Sequence, residues 1–506
     1  MAEAGLTTEA VRPEAAAGVE APARVARPAI GAGLLLVGML LALLLGWAAV
    51  VPESLPVLLP MLAAAGCGGA FGLAVWRRGR AFPFFEVGSV YVAVVTLYTV
   101  YPAVGFLVNG LAYTPFNDGR LVQARPTPEA IGTIAWYHVA HLLAFVTTYV
   151  LFRGRAAPAG ARVGRPDLAT LLAAVLGYTT ITAYLSFLGG FFDLTAASYI
   201  ESYQVSSRLP LELAQLMNHL GGARFALELV ILAWLFANYR RCRRVIAVWL
   251  GVMVLGGLVR LGSRTEVVLL LGAAVMMYHH FVRPVRLRQV GAAGLVGLGL
   301  FILLGLLRAG WRWSGSAGEV NPLFGYVTEF ETIFANAYHV REVTLTGRVP
   351  ALSPAFYWAD VLALVPQQIL PLAKVSPADW YVRTFFPVYA AAGGGLAFGT
   401  IPEAILAGGV LGMLARGAAL GLVLACLHRY YVRRQGRLWP VILYVWATLL
   451  VYQSFRGTTF ALVPLFFYRF LPVAVTIGVL AAVLRQTARR HRSGRAVDTP
   501  WSASAE

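Results

Sequence analysis

The chain is a succession of apolar runs, each close to the roughly 20 residues that a helix needs to cross a hydrocarbon core, separated by short polar stretches. The runs fall at 29–51, 56–76, 84–108, 130–152, 168–190, 217–239, 245–262, 265–282, 289–310, 402–427, 438–454 and 458–484. No stretch alternates apolar and polar residues at period two, so helices are left as the way to satisfy backbone groups inside lipid. The pattern predicts an all-α polytopic integral membrane protein with about twelve transmembrane helices. Residues 1–28, rich in Ala, Pro and Glu, read as a disordered cytoplasmic tail. Transmembrane helices 1–9 are expected over 29–310, the first of them an uncleaved anchor. A long periplasmic loop with short amphipathic helices follows at 311–401, then helices 10–12 at 402–484 and a basic cytoplasmic tail at 485–506.

Composition strengthens this reading. Hydrophobic residues make up 59% of the chain and charged residues 13%, and the mean hydropathy is +0.70. That is more apolar surface than one soluble core can hide. The net charge of +18 is carried by arginine, Lys374 being the single lysine. The arginines do not gather on one soluble face, which argues against a nucleic-acid partner; they cluster in Arg77–Arg80, Arg153–Arg165, Arg240–Arg244, Arg283–Arg288, Arg429–Arg437 and Arg485–Arg495. Every second inter-helix loop is therefore basic, and the positive-inside rule puts those loops and both termini in the cytoplasm. The long external loops are then 109–129, 191–216 and 311–401. Cys67, Cys242 and Cys426 lack metal-ligand spacing and suggest neither a disulfide framework nor a zinc site.

The arginines that break the orientation rule carry the chemical information. Arg224, Arg260, Arg264, Arg308, Arg416 and Arg469 lie in or at the edges of apolar runs, where an ionised group needs a polar cavity or an anionic partner. Others, including Arg341, Arg383 and Arg456, fall in external loops or at span ends. A guanidinium fits phosphate oxygens bidentately and stays charged when partly desolvated, so an external basic cavity points to a pyrophosphate. Two tight external turns carry an arginine: Arg260–Glu266, presenting Arg264, and Gln453–Thr458, presenting Arg456. A third motif, Gly393–Ala404, ends the long loop; its glycines permit close backbone approach, and Glu403 follows Pro402 in a helical first turn. Within the loop, the Glu329–Phe330–Glu331 run followed by His339, Arg341 and Glu342 supplies carboxylate and imidazole candidates for a general base that deprotonates a sugar hydroxyl. For each residue singly, a snorkelling side chain, a helix cap or a solvated helix face accounts for the same pattern.

The Gly-Ser-Arg turn at 262–264, the long loop, the Gly-Gly-x-x-Phe-x-x-x-Pro-Glu stretch at 394–403 and the Phe-Arg-Gly at 455–457 resemble the Wzy-type oligosaccharide repeat-unit polymerases, which make O-antigen and exopolysaccharide. The likeness covers roughly residues 240–470, and Gly399 stands where a serine is common. The resemblance implies a GT-C-like, metal-independent glycosyltransferase with no cofactor, in a bacterial inner membrane. It would use undecaprenyl-pyrophosphate-linked glycan as donor and acceptor on the periplasmic face, and the family raises a chain-length regulator as a further partner. Site residues expected on this reading are Glu331, His339 and Glu403 for catalysis and Arg264, Arg341, Arg383 and Arg456 for the pyrophosphate. Trp311, Trp313, Tyr357, Trp358, Trp380, Tyr381 and Tyr389 are candidates for stacking on sugar rings or for anchoring at the membrane interface. An O-antigen ligase and a lipid-linked oligosaccharide flippase are the competing readings.

Overall fold

The computed structural model describes residues 54–79, 85–109, 127–154, 166–188, 211–259, 264–286, 328–349, 376–391 and 397–497, with short pieces between them. Every regular element among these residues is helical. Seven helices are long and apolar enough to cross a membrane among the described residues, which makes the chain a polytopic membrane protein. Those seven cover the predicted runs at 56–76, 84–108, 130–152, 168–190, 217–239, 402–427 and 458–484. The runs at 265–282 and 438–454 form shorter apolar helices, and the run at 245–262 falls in a helix whose first six residues hold four arginines. The run at 29–51 lies outside the described residues, and so does most of the run at 289–310.

The long helices of the first half are α1 (Leu55–Gly79), α2 (Val87–Asn109), α3 (Pro128–Phe152), α4 (Leu168–Leu188), α5 (Leu211–Ala237), α6 (Tyr239–Val259) and α7 (Arg264–Phe281), of which α1 to α5 carry the membrane spans. Local chemistry starts α3: the Thr127 hydroxyl accepts from the Ala130 N–H at 3.3 Å, with Pro128 in the first turn. Several helices leave one apolar stripe unburied, as in Leu168, Leu172 and Leu176 of α4 and Val245, Val248 and Val252 of α6. At helical spacing these are lipid-facing surfaces.

The long loop contains more than surface helices. Its helix α8 (Thr328–Leu345) buries Ile333, Phe334, Ala335, Asn336 and Ala337 and packs on α2 and α3. A short helix, α9 (Pro377–Phe385), is capped by Ser376. The apolar run at 402–427 differs from a single span. It is two helices, α10 (Thr400–Leu406) and α11 (Gly409–Arg434), separated by Gly408 and Gly409 at φ of 136° and 60°, which only glycine adopts without strain. After α12 (Leu438–Leu450) the chain makes one helical turn, α13 (Gln453–Arg456), and then passes through a π-helical segment at Phe466–Phe470 into α14 (Leu471–Val497).

Helix α11 lies directly against α3 because Gly417 and Gly421 face it. A Cβ at Gly417 would sit 2.3 Å from the His141 carbonyl oxygen, and one at Gly421 would sit 2.7 Å from that of Phe145. Small residues four apart let two backbones approach within a membrane, where dispersion contacts rather than water exclusion hold helices together.

The basic loops converge at one end of the bundle. The Gly164 N–H donates to the Gly436 carbonyl at 2.8 Å, Arg485 pairs with Asp167 at 2.6 Å, and the Tyr431 hydroxyl meets His280 Nδ1 at 3.3 Å. At this end Arg153, read from the sequence as one of a loop cluster, is 1% exposed. It clasps Glu86 with Nε and with Nη2, the latter 2.6 Å from Oε2. The Tyr149 hydroxyl donates to Glu86 Oε1 at 2.8 Å, and the Tyr444 hydroxyl accepts from the Val87 N–H and meets His428 Nδ1 at 2.8 Å. Four helices, α2, α3, α11 and α12, thus meet around one bidentate pair. Removing one partner strands the other charge: Arg153→Met is expected to cost about 3–5 kcal/mol in denaturant unfolding in detergent, and Arg153→Met with Glu86→Gln markedly less.

Candidate functional site

The opposite end of the bundle, here the loop end, gathers the sequence motifs. The Gly399 N–H donates to the Gly457 carbonyl at 3.1 Å, and the Thr400 hydroxyl donates to the Ser454 carbonyl at 2.7 Å. The end of the glycine stretch and the Phe-Arg-Gly turn, far apart in sequence, are thereby tied together. Gly399 has φ of 96°, and a Cβ there would sit 2.6 Å from the Ile333 side chain of α8. Close approach of α8, with the unusual φ, explains the glycine. Helix α8 completes the junction, since Asn336 Nδ2 donates to the Ala397 carbonyl at 2.6 Å.

Glu403 lies beneath this junction and is 2% exposed. Its Oε1 is 3.0 Å from Arg416 Nη1, and its Oε2 accepts from the Thr459 N–H at 3.2 Å and the Thr459 hydroxyl at 3.3 Å. Arg416 also donates to Thr459 Oγ1 at 3.0 Å. One carboxylate therefore holds the second turn of α11, the short helix α10 and the chain after α13. Both its oxygens are engaged, which suits a positioning group better than a proton acceptor. The sequence marked Arg416 as an intramembrane charge without assigning it a partner.

Phe455 descends from the same turn into a ring of aromatic and imidazole groups. Its centroid lies 5.3 Å from those of Tyr98 and His138, 6.2 Å from His141 and 6.4 Å from Tyr91. Tyr91 and His141 Nε2 are 2.7 Å apart, and Thr99 Oγ1 lies 3.1 Å from His138 Nδ1. Because the Thr99 hydroxyl donates to the Val95 carbonyl at 2.7 Å, His138 Nδ1 must carry the proton of that bond, leaving Nε2 as a buried lone pair. Two histidines three residues apart in an apolar span were the available signal for this cluster, and the sequence reading passed over them.

A second group of charges surrounds the π-helical segment. Arg469 Nη2 donates to Asn218 Oδ1 at 2.8 Å, and its aliphatic stem occupies the slot left by Gly222, where a Cβ would sit 2.0 Å from Arg469 Cδ. Arg224 reaches Glu228 at 3.7 Å on α5 and Glu266 at 3.4 Å in the first turn of α7. π-Helical bulges inside α-helices frequently mark functional positions, and this one presents an arginine.

The expected site residues do not all share this junction. Arg456 and Glu403 do. His339 lies on α8 in an aromatic cluster, its Nδ1 2.8 Å from the Tyr381 hydroxyl and its ring edge-on to Phe385 at 4.9 Å. Tyr381 in turn packs on Phe398, next to Gly399. Arg341 is bound to its neighbour Glu342 at 2.6 Å, and Arg383 is exposed on α9. Arg264 opens α7 and Glu331 lies in the first turn of α8, but both side chains fall outside the described residues. So do Trp311, Trp313, Tyr357, Trp358 and the side chain of Tyr389. Trp380 stacks edge-on with Phe356 at 5.3 Å.

Comparison of the chain with known protein families, with curated proteins and with solved structures returns no match. The class that the fold and site define is an all-helical, polytopic membrane protein with buried charge at both ends of its bundle.

Burial holds the His339 imidazole down to about 4 from an ordinary 6.5. Between those values the unfolded chain takes up a proton that the folded chain refuses, so stability falls as pH drops through this window and is fully present above it. Thermal melts in detergent at pH 7 and pH 4.5 are expected to show a smaller acid-induced loss for His339→Gln than for the parent chain.

Proposed function

We propose that the chain is a membrane-embedded glycosyltransferase that polymerises undecaprenyl-pyrophosphate-linked repeat units into a surface polysaccharide on the periplasmic face of a bacterial inner membrane. The observation that carries this reading is the junction of the glycine stretch at 397–403 with the Phe-Arg-Gly turn at 455–457, tied by the Gly399–Gly457 and Thr400–Ser454 hydrogen bonds. These are two of the stretches that carry the resemblance to Wzy-type polymerases. The basic loops gathered at the other end fit a cytoplasmic face and leave the junction outside.

In the reaction an acceptor sugar hydroxyl attacks the anomeric carbon of the growing chain. The bond from that carbon to the pyrophosphate oxygen breaks, and the hydroxyl proton passes to a base. Undecaprenyl pyrophosphate leaves with the bonding electrons, so its departure needs fixed positive charge more than covalent help. Arg456 takes that role, with Arg469 and Arg224 supplying further charge at the same end and Arg264 at the start of α7. Glu403 and Arg416 act as positioning residues that fix the turn bearing Arg456. The base belongs to α8, from Glu331 or His339. A His339 imidazole held near 4 is neutral at working pH and can accept a proton, though weakly.

Purified protein incubated with lipid-linked repeat units is expected to give a glycan ladder on a gel, and Arg456→Ala to slow ladder growth by about a hundredfold or more. Transfer of a preformed glycan to a different acceptor, without lengthening, would overturn polymerisation in favour of a ligase. Unaltered glycan carried across a vesicle membrane would overturn it in favour of a flippase.

A further inference from the structure

A cleft at the basic end, far from the junction just described, has a chemistry of its own. Helix α5 ends at Ala237 and α6 begins at Tyr239, so the chain reverses within one residue. The end of α7 closes the third side. The space between them is about 790 Å³, and its walls include Arg240, Arg241 and Arg283 together with Phe236, Tyr239 and Tyr278. That volume lies in the range of small-molecule and headgroup sites. Among the described residues, none that lines it is acidic.

The aromatic part of the wall is built rigidly. Phe236 and Tyr239 stack with rings nearly parallel at 6.1 Å, and Tyr278 meets both edge-on at 6.4 and 5.6 Å. The Arg283 guanidinium carbon lies 5.6 Å from the Tyr278 ring centre. Asn238, at the reversal, spends its side-chain amide on the Trp234 carbonyl at 3.0 Å. The guanidinium groups lining the cleft come from the start of α6 and from the residues just past the end of α7, an arrangement suited to a phosphate oxyanion.

What selects a lipid over a free anion is the surface that continues from the cleft. Arg241 shares a helical face with Val245, Val248 and Val252, all exposed on α6. A molecule with its phosphate at Arg241 would lay an acyl chain along that stripe, into the hydrocarbon. Basic pockets between membrane helices near the interface have this combination when they hold anionic lipid.

We propose that the cleft between α5, α6 and α7 binds the phosphate headgroup of an anionic phospholipid, with its acyl chain on the Val245–Val252 face of α6. The site is independent of the proposed polymerase reaction. The experiment follows thermal unfolding of the full chain in detergent supplemented with phosphatidylglycerol, phosphatidylcholine or inorganic phosphate. Phosphatidylglycerol is expected to raise Tm by about 5 °C at a hundredfold excess over its Kd, and the other two to give little change. The variant R240Q/R241Q/R283Q is expected to lose that increment, and R433Q/R434Q/R437Q, at the same end but outside the cleft, to keep it. Because a triple variant can fail to fold, Arg283→Gln alone is measured beside it and is expected to lose part of the increment. Equal loss in the two triple variants would overturn the proposal in favour of general attraction to the basic end. An undiminished increment in the cleft variants would overturn it as well. The same shift with inorganic phosphate would assign the cleft to a free anion instead.

Discussion

A carboxylate and a guanidinium inside a bundle whose outer faces are leucine and valine are stable only together, and the Glu403–Arg416 pair meets that condition at the point where three separated stretches of chain must meet. Arg416 belongs to a membrane-length helix, Glu403 to a short helix cut from it by Gly408 and Gly409, and Thr459 to the chain beyond the Phe-Arg-Gly turn. The pair ties the far side of the glycine break to α10 and, through Thr459, to the chain after the turn, adding to the Gly399–Gly457 and Thr400–Ser454 hydrogen bonds. With it, Phe455 is held among Tyr91, Tyr98, His138 and His141, and Arg456 is fixed beside the end of the long loop. The Gly417 and Gly421 contact with α3 then sets the distance of that assembly from the histidines.

Buried charge recurs at the basic end, where Glu86 and Arg153 join α2 to α3 and recruit Tyr149, Tyr444 and His428. The two pairs play different parts. Glu86–Arg153 closes a junction of continuous helices, whereas Glu403–Arg416 closes a break in one.

Much of the helix pattern was legible because lipid makes unusually simple demands: about twenty apolar residues per crossing, and arginine on one side. The runs at 56–76, 130–152 and 217–239 emerge close to their expected bounds for that reason. Hydropathy could not locate the break at Gly408, since a broken helix is as apolar as a whole one, nor the burial of α8, whose sequence resembles a surface helix. Pairing was likewise hidden. Arg153 reads as one of several loop arginines until Glu86 is seen against it, and Arg416 could be recognised as intramembrane but not assigned to Glu403. Of the expected site residues, Glu403 and Arg456 were marked by glycine-rich neighbours and come together. His339, Arg341 and Arg383 were marked only by residue type, and contacts with Tyr381 and Glu342 or plain exposure describe them instead.

The account rests on Glu403 and Arg416 acting as a pair, and exchanging them tests it most directly. Thermal unfolding in detergent would compare the parent chain with Glu403→Arg, Arg416→Glu and the exchanged double variant. Each single change places two like charges together in a buried site and is expected to lower Tm sharply, while the exchange restores opposite charges and should recover most of the loss. A double variant as unstable as the two single changes added together would contradict the account, because the two residues would then be acting independently.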